Sequence, residues 1–269
     1  EELGFEVVLS PPTNREIMRS GSKISESEEC LSFKVFNGHL DYLKGRTDYV
    51  FVPRIRSMRE NYSACPKFFA IPDLAGFFFK ESKIIGPNID YDNNSPRDVA
   101  VAVGISLGKG LPTALAAYGK AAARKEAKEK ELVEEGERRM GLGGARKVLV
   151  IGHAYNLKDN FINVNIFSRL EKLGVVPIEA DQIGHRAAAG PFHWDSVDEI
   201  VGKVKGLSKG SVSGVIQIST FPCGCDSVAR DFVRSELKER EIPFLFLTVD
   251  EHSGEAGFIT RIEAFIDTI

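Results

Sequence analysis

Two cysteines, Cys223 and Cys225, flank a single glycine in the stretch STFPCGCDS, residues 219–227. An apolar run precedes them and a charged run follows, so the pair sits where a strand hands over to a helix. There, backbone N–H groups and the positive end of a helix dipole face the sulfurs. That environment stabilises thiolates, the form of cysteine that binds metals and attacks electrophiles. The chain has four cysteines. Cys30 lies at the start of a predicted helix, and Cys65 lies in the loop after an apolar strand. A cysteine can equally be a small buried hydrophobe, and that reading stays open for Cys30 and Cys65. It suits the Cys-Gly-Cys pair less well, because two close thiols in a turn cost packing unless something binds them.

The chemistries open to these thiols differ in the spacing they need. A Cys-x-x-Cys redox motif is absent. Structural zinc sites usually show two compact ligand pairs, and only one pair exists here. An iron–sulfur cluster accepts ligands scattered along a chain, and thiolate donors favour it over hard cations. Other motifs carry less. GLGG at 141–144 precedes a strand, whereas a dinucleotide fingerprint must follow one. The histidines at 39, 153, 185, 193 and 252 form no His-x-x-x-His pair. VIGHAYNLKDN sets His153, Asn156 and Asp159 after a strand, and TVDEHSGEAG does the same with Asp250, Glu251 and His252. Both groups could position a ligand, or simply cap the helices that follow.

The elements that must hold these residues alternate. From residue 147 onward, the apolar runs KVLVIG, VVPIEA, VSGVIQIST and IPFLFLTV are separated by helical patterns with short joins. Continuously apolar strands alternating with helices signal a parallel, doubly wound sheet, whose ligands bind at the carboxyl ends of the strands. Upstream, FEVVLS (5–10) reads as a strand. A polar turn follows, then a helix over SESEECLSFKVFNGHLDYLKG with Ser25 or Ser27 as cap. DYVFVPRI (48–55) is a further strand, and SPRDVAVAVGISLG opens a helix with Ser95 and Pro96. Between the halves, residues 111–140 are rich in Ala, Lys and Glu. The spacings Glu126–Lys130, Glu134–Arg138 and Glu135–Arg139 favour a long solvated helix. The expected architecture is therefore α/β: two doubly wound parallel-sheet lobes, 1–116 and 144–269, joined by a charged helix over 117–143. Thiol-bearing loops are expected to converge on one side.

Composition narrows the partners. A hydrophobic fraction of 43%, a charged fraction of 27% and a net charge of -3 describe a globular chain. No basic stretch calls for nucleic acid, and no apolar run is long enough to span a bilayer. Few cysteines and no evident signal peptide point to the cytoplasm. The opening EELGFEVVLS reads as a helix end followed by a strand, so the first strand and most of a helix are expected ahead of it.

SESEECLSFKVFNGH, DYVFVPRI, CPKFFAIPDL, VIGHAYNLKDNFINVNI, FPCGCDS and DEHSGEAGFITRIEAF occur in this order. Together they resemble the 2-hydroxyglutaryl-CoA dehydratase D-component-like, or acyl-CoA dehydratase activase-related, proteins of the 2-hydroxyacyl-CoA dehydratase and benzoyl-CoA reductase superfamily. The resemblance implies two α/β lobes with an iron–sulfur cluster, [4Fe–4S], in the cleft between them. It carries a ligand role to Cys30, Cys65 and Cys223. Cys225 stands where proline is common in the family, and is either a fourth ligand or a thiol beside an open iron. His153 replaces the arginine of a GRPYN-type motif. The implied function is a redox protein taking low-potential electrons from an ATP-dependent activator with its own cluster, for reduction or dehydration of a small substrate. A homo-oligomer is compatible with it. The alternative is a metal-stabilised or metal-free α/β binding module that meets the activator without catalysis.

Overall fold

The computed structural model describes residues 1–80, 83–184, 190, 192–252 and 254–269. His185 and Ser253, which fall in stretches noted above, lie outside the described residues. In chain order the first elements are α1 (Arg15–Ile24), α2 (Leu31–Leu43), β1 (Tyr49–Phe51), β2 (Arg54–Ser57) and α3 (Pro66–Phe78). Next come β3 (Lys83–Ile85), β4 (Asn88–Asp90), α4 (Pro96–Ser106) and the long α5 (Leu111–Met140). The remainder is β5 (Lys147–Gly152), α6 (Ala154–Leu157), α7 (Ile166–Lys172), β6 (Val176–Glu179), α8 (Asp195–Lys205), β7 (Gly214–Thr220), α9 (Gly224–Glu239), β8 (Phe244–Val249) and α10 (Glu255–Asp267). The fold is α/β with parallel pairing throughout the named strands.

The chain divides into two compact units. One comprises Glu1–Pro11, His39–Lys130 and Phe192–Asp195; the other comprises Pro12–Gly38, Glu131–Pro191 and Ser196–Ile269. The first unit is built on two short parallel pairs, β1 with β3 and β2 with β4. Arg54 forks onto Asp73 at 2.6 and 2.7 Å, and Arg56 reaches Asp90 at 2.9 Å, tying β2 to α3 and to β4. On α4, Ser95 and Asp98 cap each other reciprocally, as the Ser95-Pro96 signal implied.

The second unit holds a four-stranded sheet in the order β6-β5-β7-β8. Every residue of β7 is buried, as are Val148–Gly152 of β5. Strands covered on both faces must read as unbroken apolar runs, which is why this half was legible. Ion pairs join α7 to α10 through Arg169 and Glu255, and α8 to α9 through Lys205 and Glu236. Each layer thus carries one pair of neighbouring helices, as right-handed crossovers from a doubly wound sheet require. The winding reverses between β5, which leads outward to β6, and β7, which leads the other way to β8. The carboxyl ends of β5 and β7 therefore border a crevice.

Residues Pro12–Gly38 fold against that same edge. Thr13 bonds Asp159 beyond β5, Ser32 bonds Thr220 of β7 at 2.9 Å, and Lys34 pairs with Glu251 beyond β8. Lys34 is 3% exposed, so its charge depends on that partner and on the Ser27 carbonyl at 2.9 Å. Helices α1 and α2 cross closely at two glycines. A Cβ on Gly21 would lie 1.8 Å from the Lys34 carbonyl oxygen, and one on Gly38 would lie 2.1 Å from that of Ile17.

Two expectations upstream are corrected. Residues 5–10 form no strand: Val7, Val8 and Leu9 are exposed, and no described strand pairs with them. An extended run without a ladder partner, closed by Pro11 and Pro12, gains nothing from strand geometry. The supposed polar turn is α1, capped by Asn14 Oδ1, which accepts from the Glu16 and Ile17 amides at 2.9 and 3.1 Å. Its two serines and glycine mask the helical pattern, while Ile17, Met18 and Gly21 supply the buried face. Helix α2 begins at Leu31, after Ser25 and Ser27. In α5, Glu135 and Arg139 pair at 2.7 Å as their spacing implied.

Gly21→Ala and Gly38→Ala are each expected to lower stability by about 2 kcal/mol or more, because the new methyl meets backbone. Gly257→Ala in α10 has nothing within 4 Å of the added Cβ, and is expected to stabilise by about 0.5 kcal/mol through helix propensity. Urea unfolding of the three variants reads both signs.

Candidate metal centre

Three of the four cysteines precede a helix. Cys223 is the N-cap of α9, and Cys65 is the N-cap of α3, followed by Pro66. Cys30 stands before α2, its carbonyl accepting from the Phe33 and Lys34 amides at 2.9 and 3.1 Å. Each sulfur therefore lies at the positive end of a helix dipole. Cys225 lies in the first turn of α9 and is buried. None of the four cysteines is in a disulfide.

The structure brings the Cys30 and Cys223 loops together. The Leu31 amide donates to the Phe221 carbonyl at 3.1 Å, two residues ahead of Cys223. Ser32 extends the seam, donating to Asn156 Oδ1 at 2.6 Å beside its contact with Thr220. Cys65 belongs to the first unit, where the Ala64 amide bonds the Arg56 carbonyl at 2.7 Å.

At the crevice itself, His153 follows β5 and Cys223 follows β7. His153 Nε2 lies 3.6 Å from Cys223 Sγ and 3.3 Å from Asp226 Oδ1. The Tyr155 ring stacks on the imidazole at 4.9 Å between centroids, with 9° between the planes. Asp226 is 0% exposed, and neither carboxylate oxygen accepts a hydrogen bond of normal geometry. The Ser219 side chain and the His153 imidazole offset its burial only in part, so the acid is costly to ionise and calls for a counterion or a proton.

The charges respond accordingly. The Cys223 thiol is lowered to about 4, first because the Cys225 thiol donates to its sulfur, with the nearby imidazole and the Asp226 amide assisting and burial opposing. Asp226 is raised to about 6, first by burial and then by the Cys223 thiolate, against the pull of His153. A thiolate, an imidazole and a carboxylate within 4.8 Å of one another form a group that could bind a metal.

A family model described as CoA enzyme activase uncharacterised domain (DUF2229) matches residues 1–183. The chain belongs to this family. The match supports membership of the wider acyl-CoA dehydratase and activase superfamily, and hence a role in a CoA-dehydratase system. It spans Cys30, Cys65 and His153, and ends before Cys223, Cys225 and Asp226. No curated protein matches the chain. Among the described residues, no helix is long and apolar enough to cross a membrane.

Sequence reasoning singled out Cys223 and His153, and missed Asp226. An acid in the first helical turn ordinarily faces solvent and favours the dipole. The usable signal was the three-residue step from Cys223, which sets both side chains on one face of the first turn.

Two outcomes are expected of metal-free protein. Alkylation of Cys223 by iodoacetamide, mapped by mass spectrometry, should change little between about pH 6 and 8, because the thiolate already dominates there. Asp226 holds its proton more tightly folded than unfolded, so ionising it costs stability as pH rises through about 6. From the ordinary 3.8 to about 6 this is on the order of 3 kcal/mol at pH 7. Asp226→Asn should therefore be more stable than the parent at pH 7 by up to that amount. The gain should vanish toward pH 4, as followed by denaturant unfolding.

Proposed function

We propose that this chain is an iron–sulfur redox component of a CoA-dehydratase system, D-component-like in type, that accepts low-potential electrons from an ATP-dependent activator carrying its own cluster. The observation that carries the reading is the Cys223 thiolate at the switch point of a parallel sheet, with the loop bearing Cys30 hydrogen-bonded beside it. The donor set fits the group. Metal ligation needs deprotonated sulfur, and the surroundings of Cys223 supply it before any metal arrives.

Cys30, Cys65 and Cys223 would hold the cluster. Cys225 is either a fourth ligand or a thiol that guards the site while donating to Cys223. When bound, a [4Fe–4S] cluster supplies one-electron chemistry whose potential follows its charge, exposure and the hydrogen bonds to its sulfurs. The chain's own part is to hold three sulfurs at helix N-termini, with the start of α2 hydrogen-bonded to the Phe221 carbonyl beside Cys223. The protein would work in the cytoplasm on a small molecule, by reduction or dehydration.

Anaerobic purification should give brown protein with about four irons and matching sulfide per chain. Cys30→Ser, Cys65→Ser and Cys223→Ser should each lose that iron and sulfide. Colourless protein with unchanged metal content in all three variants would instead favour a binding module without a cluster.

A further inference from the structure

The contacts around His153 carry a second reading of the same corner. A cysteine–histidine–aspartate relay needs its carboxylate on the ring nitrogen opposite the one that serves the nucleophile. Here both neighbours converge on one atom: Cys223 Sγ at 3.6 Å and Asp226 Oδ1 at 3.3 Å, each from Nε2. One imidazole nitrogen offers one proton or one lone pair, so it cannot serve both partners by hydrogen bonding. A single ion can.

We propose that His153, Cys223 and Asp226 form a site for one divalent metal ion of the zinc or ferrous type, built without Cys30 or Cys65. Zinc bonds of about 2.3 Å to sulfur and about 2.0–2.1 Å to nitrogen and oxygen give tetrahedral edges of about 3.6 Å for S···N and about 3.3 Å for N···O. The two measured separations equal those edges, and the third lies inside the 4.8 Å limit that bounds the group. Imidazole, thiolate and carboxylate are the donor types such ions take.

The second observation is Asp226 itself. Its carboxylate is fully buried, accepts no hydrogen bond of normal geometry on either oxygen, has only the Ser219 side chain and the His153 imidazole to offset its burial, and points at the other two donors. An ion between the three would supply the full counter-charge that these contacts do not. The Tyr155 ring stacks on the imidazole and restricts its plane. Three protein ligands leave a fourth position, the pattern of catalytic zinc sites rather than closed structural ones. The ion draws on Cys223, as the proposed cluster does, so one chain fills one site at a time. The single ion needs no inorganic sulfide.

The test uses the full chain, freed of iron and sulfide under anaerobic reducing conditions and titrated with Co²⁺. One equivalent should bind, with a thiolate-to-cobalt charge-transfer band and visible bands of tetrahedral intensity, and Zn²⁺ should displace it. Cys223→Ser should abolish the charge-transfer band. His153→Ala, His153→Gln and Asp226→Asn should each weaken binding by about tenfold or more, with circular dichroism confirming the fold. Cys30→Ser and Cys65→Ser should bind as the parent does. Absence of the band in the parent overturns the proposal. So does full affinity in the folded His153 and Asp226 variants, or a requirement for Cys30 or Cys65. Failure to load iron and sulfide alongside a normal cobalt titration sinks the cluster and leaves the single-ion site standing; the reverse pattern does the opposite.

Discussion

A parallel sheet that reverses its winding leaves one gap at its carboxyl edge, and the second unit places its chemistry there. Strand β5 delivers His153 to one side of the gap, and β7 delivers Cys223 to the other. The helix after β7 begins at once, so its first turn carries Cys225 and Asp226 into the same space. The residues just ahead of His153 and Cys223 are special in backbone: Gly152 sits at φ 153° with no room for a Cβ, and the Phe221–Pro222 peptide is cis. The sheet order fixes which strand ends are neighbours.

What completes the corner comes from far away in sequence. The segment Pro12–Gly38 lies along the carboxyl edge, held beyond β5 by Asp159, at β7 by Thr220 and Phe221, and beyond β8 by Glu251. Its two helices approach through Gly21 and Gly38 with no room for a methyl group. Tight packing there sets the height of α2 over the sheet, and with it the position of Cys30. The Cys225 thiol beside Cys223 and the burial of Asp226 then bias the charges, stabilising the thiolate and disfavouring the carboxylate.

Legibility followed the range of the interactions. Strands β5 and β7 could be read from continuous apolar runs because the sheet buries both of their faces, and the edge strand β8 keeps such a run although only Leu247 and Val249 are buried. Cys223 could be placed at a helix start because capping is local. Residues 5–10 misled because an apolar run does not say whether a partner strand is near. Helix α1 was hidden because two serines and a glycine interrupt its pattern, and Gly21 serves a close crossing with α2, a long-range demand that overrides propensity. Asp226 was invisible because nothing in a first-turn acid announces that the sheet will cover it.

The family match ends at residue 183, between β6 and β7. In the sheet order, β5 lies between those two strands, with Val148–Gly152 registered against Gly214–Ile218. A fragment cut at the end of the match would strip β5 of that neighbour, leaving a bare flank of amides and carbonyls open to any passing chain. It would also free the start of α2 from Phe221. The end of the match thus runs through the middle of a hydrogen-bonded layer.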